Sequence, residues 1–142
     1  MDRERAPARV DVAALARDDV FSRELGIELV ESSLGHAVCR VRVEQRHMNF
    51  NGVTHGGVTF TLADAAFGYA CNSQGAVAAG VDAHIVYSLP ARAGDVLTAT
   101  AVEISRSNRL STYRVDVVRS DGRLVAAMTG TAFISDKQRA GE

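Results

Sequence analysis

The chain has 142 residues, 46% of them hydrophobic and 23% charged. That composition fits one globular domain spanning 1–142 and excludes a disordered or fibrous chain. With 16 Lys and Arg against 17 Asp and Glu, the formal charge of -1 gives no field to draw in nucleic acid, so no nucleic-acid partner is expected.

Residues 1–10 are charged and read as a flexible tail without the apolar run of a secretory signal. No segment reaches the roughly 20 consecutive apolar residues of a membrane span. A cytoplasmic protein with no membrane partner is therefore expected. Val12 to Leu25 places Val12, Leu15, Val20, Phe21 and Leu25 in an irregular helical pattern, predicting one short amphipathic helix. Ile27 to Val30, a turn at Ser32 to Gly35, and Ala37 to Val43 then predict an antiparallel hairpin.

From Gly56 to Asn72 the sequence GGVTFTLADAAFGYACN is almost wholly small or apolar, with Asp64 and the Tyr69 phenol as its only ionisable side chains besides Cys71. A helix without a polar face is surrounded by protein. Gly75 is placed to end it. Four strands are predicted beyond, over Val77 to Leu89, Val96 to Ser105, Leu110 to Arg119 and Leu124 to Ser135, with 136–142 as a second tail. Their breaks at Pro90 with Gly94-Asp95, Ser107 to Arg109, and Asp121-Gly122 suggest a meander. The plan is α+β: a curved antiparallel sheet wrapped around one long buried helix.

Asp64 is the informative residue. A carboxylate amid apolar helix residues costs several kcal/mol (roughly) unless it is paired. By itself it fits a structural role, bonded to backbone or to Arg40 or Arg42, as well as a chemical one. Nine residues earlier, His55-Gly56-Gly57 marks the helix start, where free N–H groups and the positive end of the helix dipole converge. Two such amides aimed at a thioester carbonyl would form an oxyanion hole, and Asp64 would supply the general base. A Gly pair that merely eases entry into the helix is the plainer alternative. Asn49 and Asn51 could orient water or substrate, or only shape their loop. Arg92, Arg106 and Arg109 lie near turns, where they could meet nucleotide phosphates or simply be solvated.

Cys39 and Cys71 have no close pairing and read as reduced, buried small hydrophobes. His36, His47, His55 and His84 lack metal-ligand spacing, so no metal is expected. There is no GxSxG motif for a serine nucleophile.

The run HMNFNGVTHGGVTFTLADAAFGYACNSQG, at 47–75, resembles the hotdog-fold acyl-CoA thioesterases, and specifically those of the phenylacetic-acid-degradation (PaaI) type. The match rests on Asn49, His55-Gly56-Gly57, Leu62-Ala63-Asp64 and Tyr69 to Ser73, followed by a strand, a Pro and Gly94-Asp95, and extends from about Leu25 to Ser135. The resemblance implies a hotdog fold and hydrolysis of aryl- or hydroxyarylacetyl-CoA without metal or redox cofactor. It also implies homodimers that pair into homotetramers. Asp64 matches the catalytic carboxylate, as base or nucleophile. Gly56 matches the amide donor to the carbonyl, and Asn49 and His55 match the positioning residues. Gly57, Arg106 and Arg109 are the candidate substrate-binding residues. Some relatives carry a Ser or Thr on the next strand to assist water. Here the stretch is Ala79-Gly80-Val81-Asp82, and that role is left unassigned.

Geometry adds one expectation. Asp64 follows Gly56 by eight residues, about 12 Å along a helix axis, too far for both to act on one carbonyl. The active site is therefore expected to be shared between two subunits. The rival readings are a hotdog hydratase or dehydratase, which needs a His and an acid at the α and β carbons, and a silent acyl-CoA sensor, which needs an output element.

Overall fold

One sixteen-residue helix with scarcely any polar side chain sets the architecture. The structure is a computed structural model that describes residues 9–139. In chain order it has α1 (Val12–Asp18), α2 (Val20–Glu24), β1 (Glu28–Ser33), β2 (His36–Arg42), a 3-10 turn (Gln45–His47) and α3 (Gly56–Cys71). Then follow β3 (Ala76–Tyr87), β4 (Val96–Arg106), β5 (Leu110–Arg119) and β6 (Leu124–Gln138). The strands form one six-stranded antiparallel sheet in the order β1-β2-β4-β5-β6-β3, curved around α3 in the hotdog arrangement.

The sheet presents alternate residues to the helix, as the pleat requires. Cys39 and Val41 of β2, Leu97, Ala99 and Ala101 of β4, and Tyr113, Val115 and Val117 of β5 are all buried. They meet Leu62, Ala63, Ala66, Phe67 and Ala70 of α3, where the alanines let helix and sheet approach closely. Phe67 is the largest of these helix side chains. Its ring packs edge-on against Tyr113, 5.6 Å between centroids, and lies over Gly80 and Gly130 of the neighbouring strands β3 and β6. A Cβ on Gly80 would come within 2.9 Å of that ring, so the glycine makes room for it.

Several expectations need correcting. The first helix is two, because Asp19 ends α1 and its side chain accepts the Ser22 N–H to start α2. The α3 helix stops at Cys71, before Gly75. Asn72 and Ser73 take over its end: Asn72 bonds both the N–H and the carbonyl of Ala78, and Ser73 Oγ donates to Ala70 O while accepting from Gly35 N–H. The meander holds only for β4, β5 and β6. Strand β3 crosses to the far edge and pairs with β6, leaving its other edge unpaired among the described residues.

The expected tails are shorter as well. Val10 is buried, and β6 continues through 136–138, with the Arg139 guanidinium held on Asn72 Oδ1. Residues 1–8 and 140–142 of those tails lie outside the described residues. Both cysteines are free and buried as expected, and burial pushes the Cys39 thiol up to about 12 and that of Cys71 up to about 11. Truncation of Phe67 to Ala should destabilise the protein by about 3–5 kcal/mol. A chemical denaturation midpoint close to wild type would show that this ring does not anchor helix to sheet.

Candidate functional site

The α3 helix is not enclosed on every side by its own chain. Gly57 and Asp64 are exposed, and Phe60, Thr61 and Gly68 are partly so. At spacings of three and four residues these positions form one stripe along the helix. The two short helices α1 and α2 flank it and create two recesses that meet at Phe21 and Thr61.

The first recess, about 520 Å³, holds Asp64 with Asp18, Asp19, Tyr69, Asn72 and Arg139 around it. Neither Arg40 nor Arg42 pairs with Asp64, since Arg40 bonds Glu28 across the hairpin and Arg42 lines a separate recess with Glu44. Asp64 has no hydrogen-bond partner among the described residues, so its carboxylate is open to a ligand. Solvent reaches it, yet the protein around it takes away enough hydration to raise its pKa, and the negative charge of Asp19 adds to the rise. Asp19 itself stays ionised: burial works against its charge, but hydrogen bonds from Tyr69 and Ser22 outweigh burial and lower its pKa. The Tyr69 hydroxyl donates to Asp19 at 2.7 Å, tying the junction of α1 and α2 to the helix that carries Asp64.

The second recess lies one to two turns toward the helix start and is lined by His47, Met48, His55, Gly57, Phe60 and Tyr87, among others. The loop leading to it is held at many points. His47 Nδ1 accepts from Glu44 N–H, His55 N–H donates to His47 O at 2.8 Å, and Thr54 bonds Ala91 O through both its amide and its hydroxyl. With Nδ1 accepting, the His47 ring carries its proton on Nε2, which is buried without a partner among the described residues. Asn49 Oδ1 accepts the Asn51 N–H at 2.9 Å, and Val53 N–H lies 3.4 Å away, so the side-chain carbonyl shapes the loop and only its NH₂ group remains to meet a ligand.

At the helix start the expected pair of amides is reduced to one. His55 caps the helix, its Nδ1 accepting the Gly57 N–H at 2.8 Å, so the Gly57 amide is already engaged. The Gly56 N–H has no partner among the described residues. Its carbonyl accepts from the Tyr87 hydroxyl, and a Cβ on Gly56 would sit 3.3 Å from that ring. The position therefore has a free donor and close lateral support.

Arg106 and Arg109 are not brought to these groups within the chain. Arg106 pairs with Glu103 and Arg109 with Asp136, near the opposite end of α3 from Gly56. Asp82, in the unassigned stretch, is exposed beside an irregularity of β3. Among the described residues no group of three or more His, Cys, Asp or Glu could hold a metal ion, and no helix is long and apolar enough to cross a membrane. Sequence reasoning missed Asp19, Tyr87 and the positioning role of His47. Asp19 carried a legible signal, an Asp three residues before Ser22 inside a doubtful helical pattern.

A free amide at a helix start, a lone carboxylate two turns on and a hotdog scaffold agree with the match of residues 51–126 to the model of the thioesterase superfamily. The chain belongs to the thioesterase superfamily. It is 36% identical over 117 residues to the acyl-coenzyme A thioesterase PaaI of Escherichia coli, covering 82% of this chain and 84% of that protein. Human acyl-coenzyme A thioesterase 13 is 34% identical over 119 residues, 81% of this chain and 85% of that one. The structure of the E. coli PaaI protein, from the phenylacetic acid degradation operon, superposes with a TM-score of 0.88 over 90% of this chain and 93% of that one. A hypothetical thioesterase of Streptococcus pneumoniae, solved with coenzyme A, gives 0.82 at 27% identity, covering 91% of this chain and 99% of that one.

The electrostatics of this thioesterase can be checked directly. Carbon-detected NMR titration of the Asp64 carboxyl should give a midpoint above the ordinary 3.8. Replacing Asp19 with Asn keeps a capping oxygen but removes the charge that opposes ionisation, so the Asp64 midpoint should fall. An unchanged midpoint in Asp19→Asn would remove Asp19 from the account.

Proposed function

We propose that this protein hydrolyses an aryl- or hydroxyarylacetyl-CoA to the free acid and coenzyme A, with Gly56 polarising the thioester carbonyl and Asp64 activating water. The protein is an acyl-CoA thioesterase, as its family and its acyl-CoA thioesterase relatives indicate. The observation that carries the mechanism is the pairing on α3 of an unpartnered Gly56 N–H with an open Asp64 carboxylate whose pKa is raised. The acyl preference draws its support from the E. coli relative, a protein from the phenylacetic acid degradation operon. Coenzyme A in the pneumococcal structure supports the leaving group.

The chemistry follows from those groups. Asp64 takes a proton from water as the water oxygen attacks the carbonyl carbon. The carbonyl oxygen gains negative charge, and the Gly56 N–H at the positive end of the helix dipole stabilises it. The tetrahedral species collapses with cleavage of the C–S bond, and coenzyme A leaves as a thiolate that takes up the proton from Asp64 or from solvent. A raised carboxylate pKa suits a general base better than an ordinary one. His55, with Nδ1 engaged and its ring proton on Nε2, lines the recess beside Gly57 and would orient the thioester as a donor, a part that the Asn49 NH₂ group would share. No step asks for a metal or redox cofactor. The hydratase reading fits less well, because His55 already spends Nδ1 on the helix cap.

The site is completed by a second copy of the chain. Gly56 and Asp64 lie about 12 Å apart along the axis of one helix. A two-fold pair of α3 helices would bring the Gly56 of one copy to the Asp64 of the other, twice. The open stripe of α3 and the unpaired edge of β3 are the surfaces that such a pair would cover. Two such pairs form the homotetramer we propose. Arg106 and Arg109 would serve the nucleotide end of coenzyme A only by giving up their present carboxylate partners.

Three measurements decide the reading. Asp64→Asn should lower kcat for thiol release by about a hundredfold or more with the fold intact, and the acidic limb of the wild-type kcat/KM profile should follow Asp64 ionisation, activity rising with pH. Near-normal turnover in folded Asp64→Asn protein would defeat the assignment. Co-refolding Asp64→Asn chains with Gly56→Val chains should restore part of the activity in heterodimers, which carry one intact site. Tagged heterodimers without activity would exclude the shared site. Across a panel, phenylacetyl-CoA should exceed palmitoyl-CoA in kcat/KM, and the reverse order would exclude the arylacetyl preference.

A further inference from the structure

Helix α2 has five residues, too few to persist alone in water. It is nevertheless fixed. Asp19 accepts from Ser22 N–H at 3.2 Å, from Ser22 Oγ at 2.8 Å and from the Tyr69 hydroxyl at 2.7 Å, while Ile27 N–H returns to Ser22 O at 3.0 Å. Ser22 is buried, and the Arg46 guanidinium donates to Glu24 O. All this holds in place a helix whose largest side chain faces outward: Phe21 is 63% exposed.

The position of that ring is specific. Phe21 lines the recess that holds Asp64 and also the recess that holds His55 and Gly57, a property it shares with Thr61. Leu25, Met48, Val58 and Phe60 continue the apolar lining from it toward the helix start. A thioester attacked by water at Asp64, with the carbonyl held by the Gly56 amide of the second copy, must lay its acyl part against the recess around that Asp64. Phe21 of the same chain lines that recess.

We propose that Phe21 is a specificity-determining residue: its ring is the wall against which the acyl group packs, and the Asp19–Tyr69 hydrogen bond holds that wall on α3. The inference rests on the thioesterase reading above and gives it a basis for choosing among acyl groups. An aryl ring stacks on or against Phe21 and loses water on both faces. A two-carbon acyl group is too short to gain from it. Release of the latch would let α2 move away without touching the Gly56 amide, and would reach Asp64 only through the charge of Asp19.

The test compares phenylacetyl-CoA with acetyl-CoA in wild type, Phe21→Ala, Phe21→Leu and Tyr69→Phe, and measures binding of S-(2-phenylethyl)-CoA and of free coenzyme A by calorimetry. Phe21→Ala should lower kcat/KM for phenylacetyl-CoA about tenfold or more, mainly through KM, and weaken the phenylethyl thioether to a similar extent. Its effect on acetyl-CoA and on free coenzyme A should stay within about twofold, since neither reaches the ring. Phe21→Leu should fall between, and Tyr69→Phe should lose part of the same discrimination. Equal losses on both thioesters, no loss on either, or a change of oligomeric state in Phe21→Ala would overturn the proposal. A wild-type protein that releases thiol from no acyl-CoA would defeat the thioesterase mechanism instead. The thioether affinities of wild type and Phe21→Ala would then still decide the role of Phe21.

Discussion

Everything in this molecule depends on hiding α3. Leu62, Ala63, Ala66, Phe67 and Ala70 have to leave water together, and no flat sheet could cover them. The sheet therefore curls, and β2, β4 and β5 each give a row of side chains to the concave face, small or branched except for Tyr113. Coverage stops along one stripe, and that is where the helix keeps its single carboxylate. The position of Asp64 is thus a product of the enclosure: the polar residue faces the direction in which the sheet does not close over the helix.

A buried helix also has to satisfy its ends, and the dense run from His47 to Gly75 is largely occupied with doing so. At the start, His55 caps Gly57 and Tyr87 bonds the Gly56 carbonyl, so that one amide is left over. At the finish, Asn72 and Ser73 bind β3 and the β1–β2 turn. Tyr69 lends its hydroxyl to Asp19, and Phe67 is core. A run that marks the family so sharply is therefore mostly scaffold, with chemistry left to the few atoms the scaffold does not use.

How much was legible follows from range. The helix from Gly56, the β1–β2 hairpin and the β5 limits at Leu110 and Arg119 depend on local periodicity and turn residues, and they were readable in order. The isolation of Asp64 was readable too, because an ionisable group stands out in an apolar helix without reference to other elements. Contacts distant in the chain were not readable. Nothing local says that β3 will pair with β6, that Asp19 will meet Tyr69 fifty residues later, or that His55 will use the Gly57 amide before any ligand can. Arg106 and Arg109 were candidates because they sit near turns, and turns say nothing about which carboxylate an arginine will find.

The partnership of β3 with β6 also governs how the chain can assemble. Strand β3 follows α3 directly, yet its partner β6 is made only after β4 and β5, and their registered pairs run from Ala76 with Gln138 to Tyr87 with Ala126. A nascent chain emerging from the ribosome must hold the apolar helix and an unpaired strand ready until the C-terminal strand appears. Long-range closure of this kind slows folding relative to a sheet of successive hairpins. Vulnerability to misassembly therefore falls late in synthesis, and removal of β6 would leave β3 without its partner and the helix partly uncovered even though Gly56 and Asp64 had already been made.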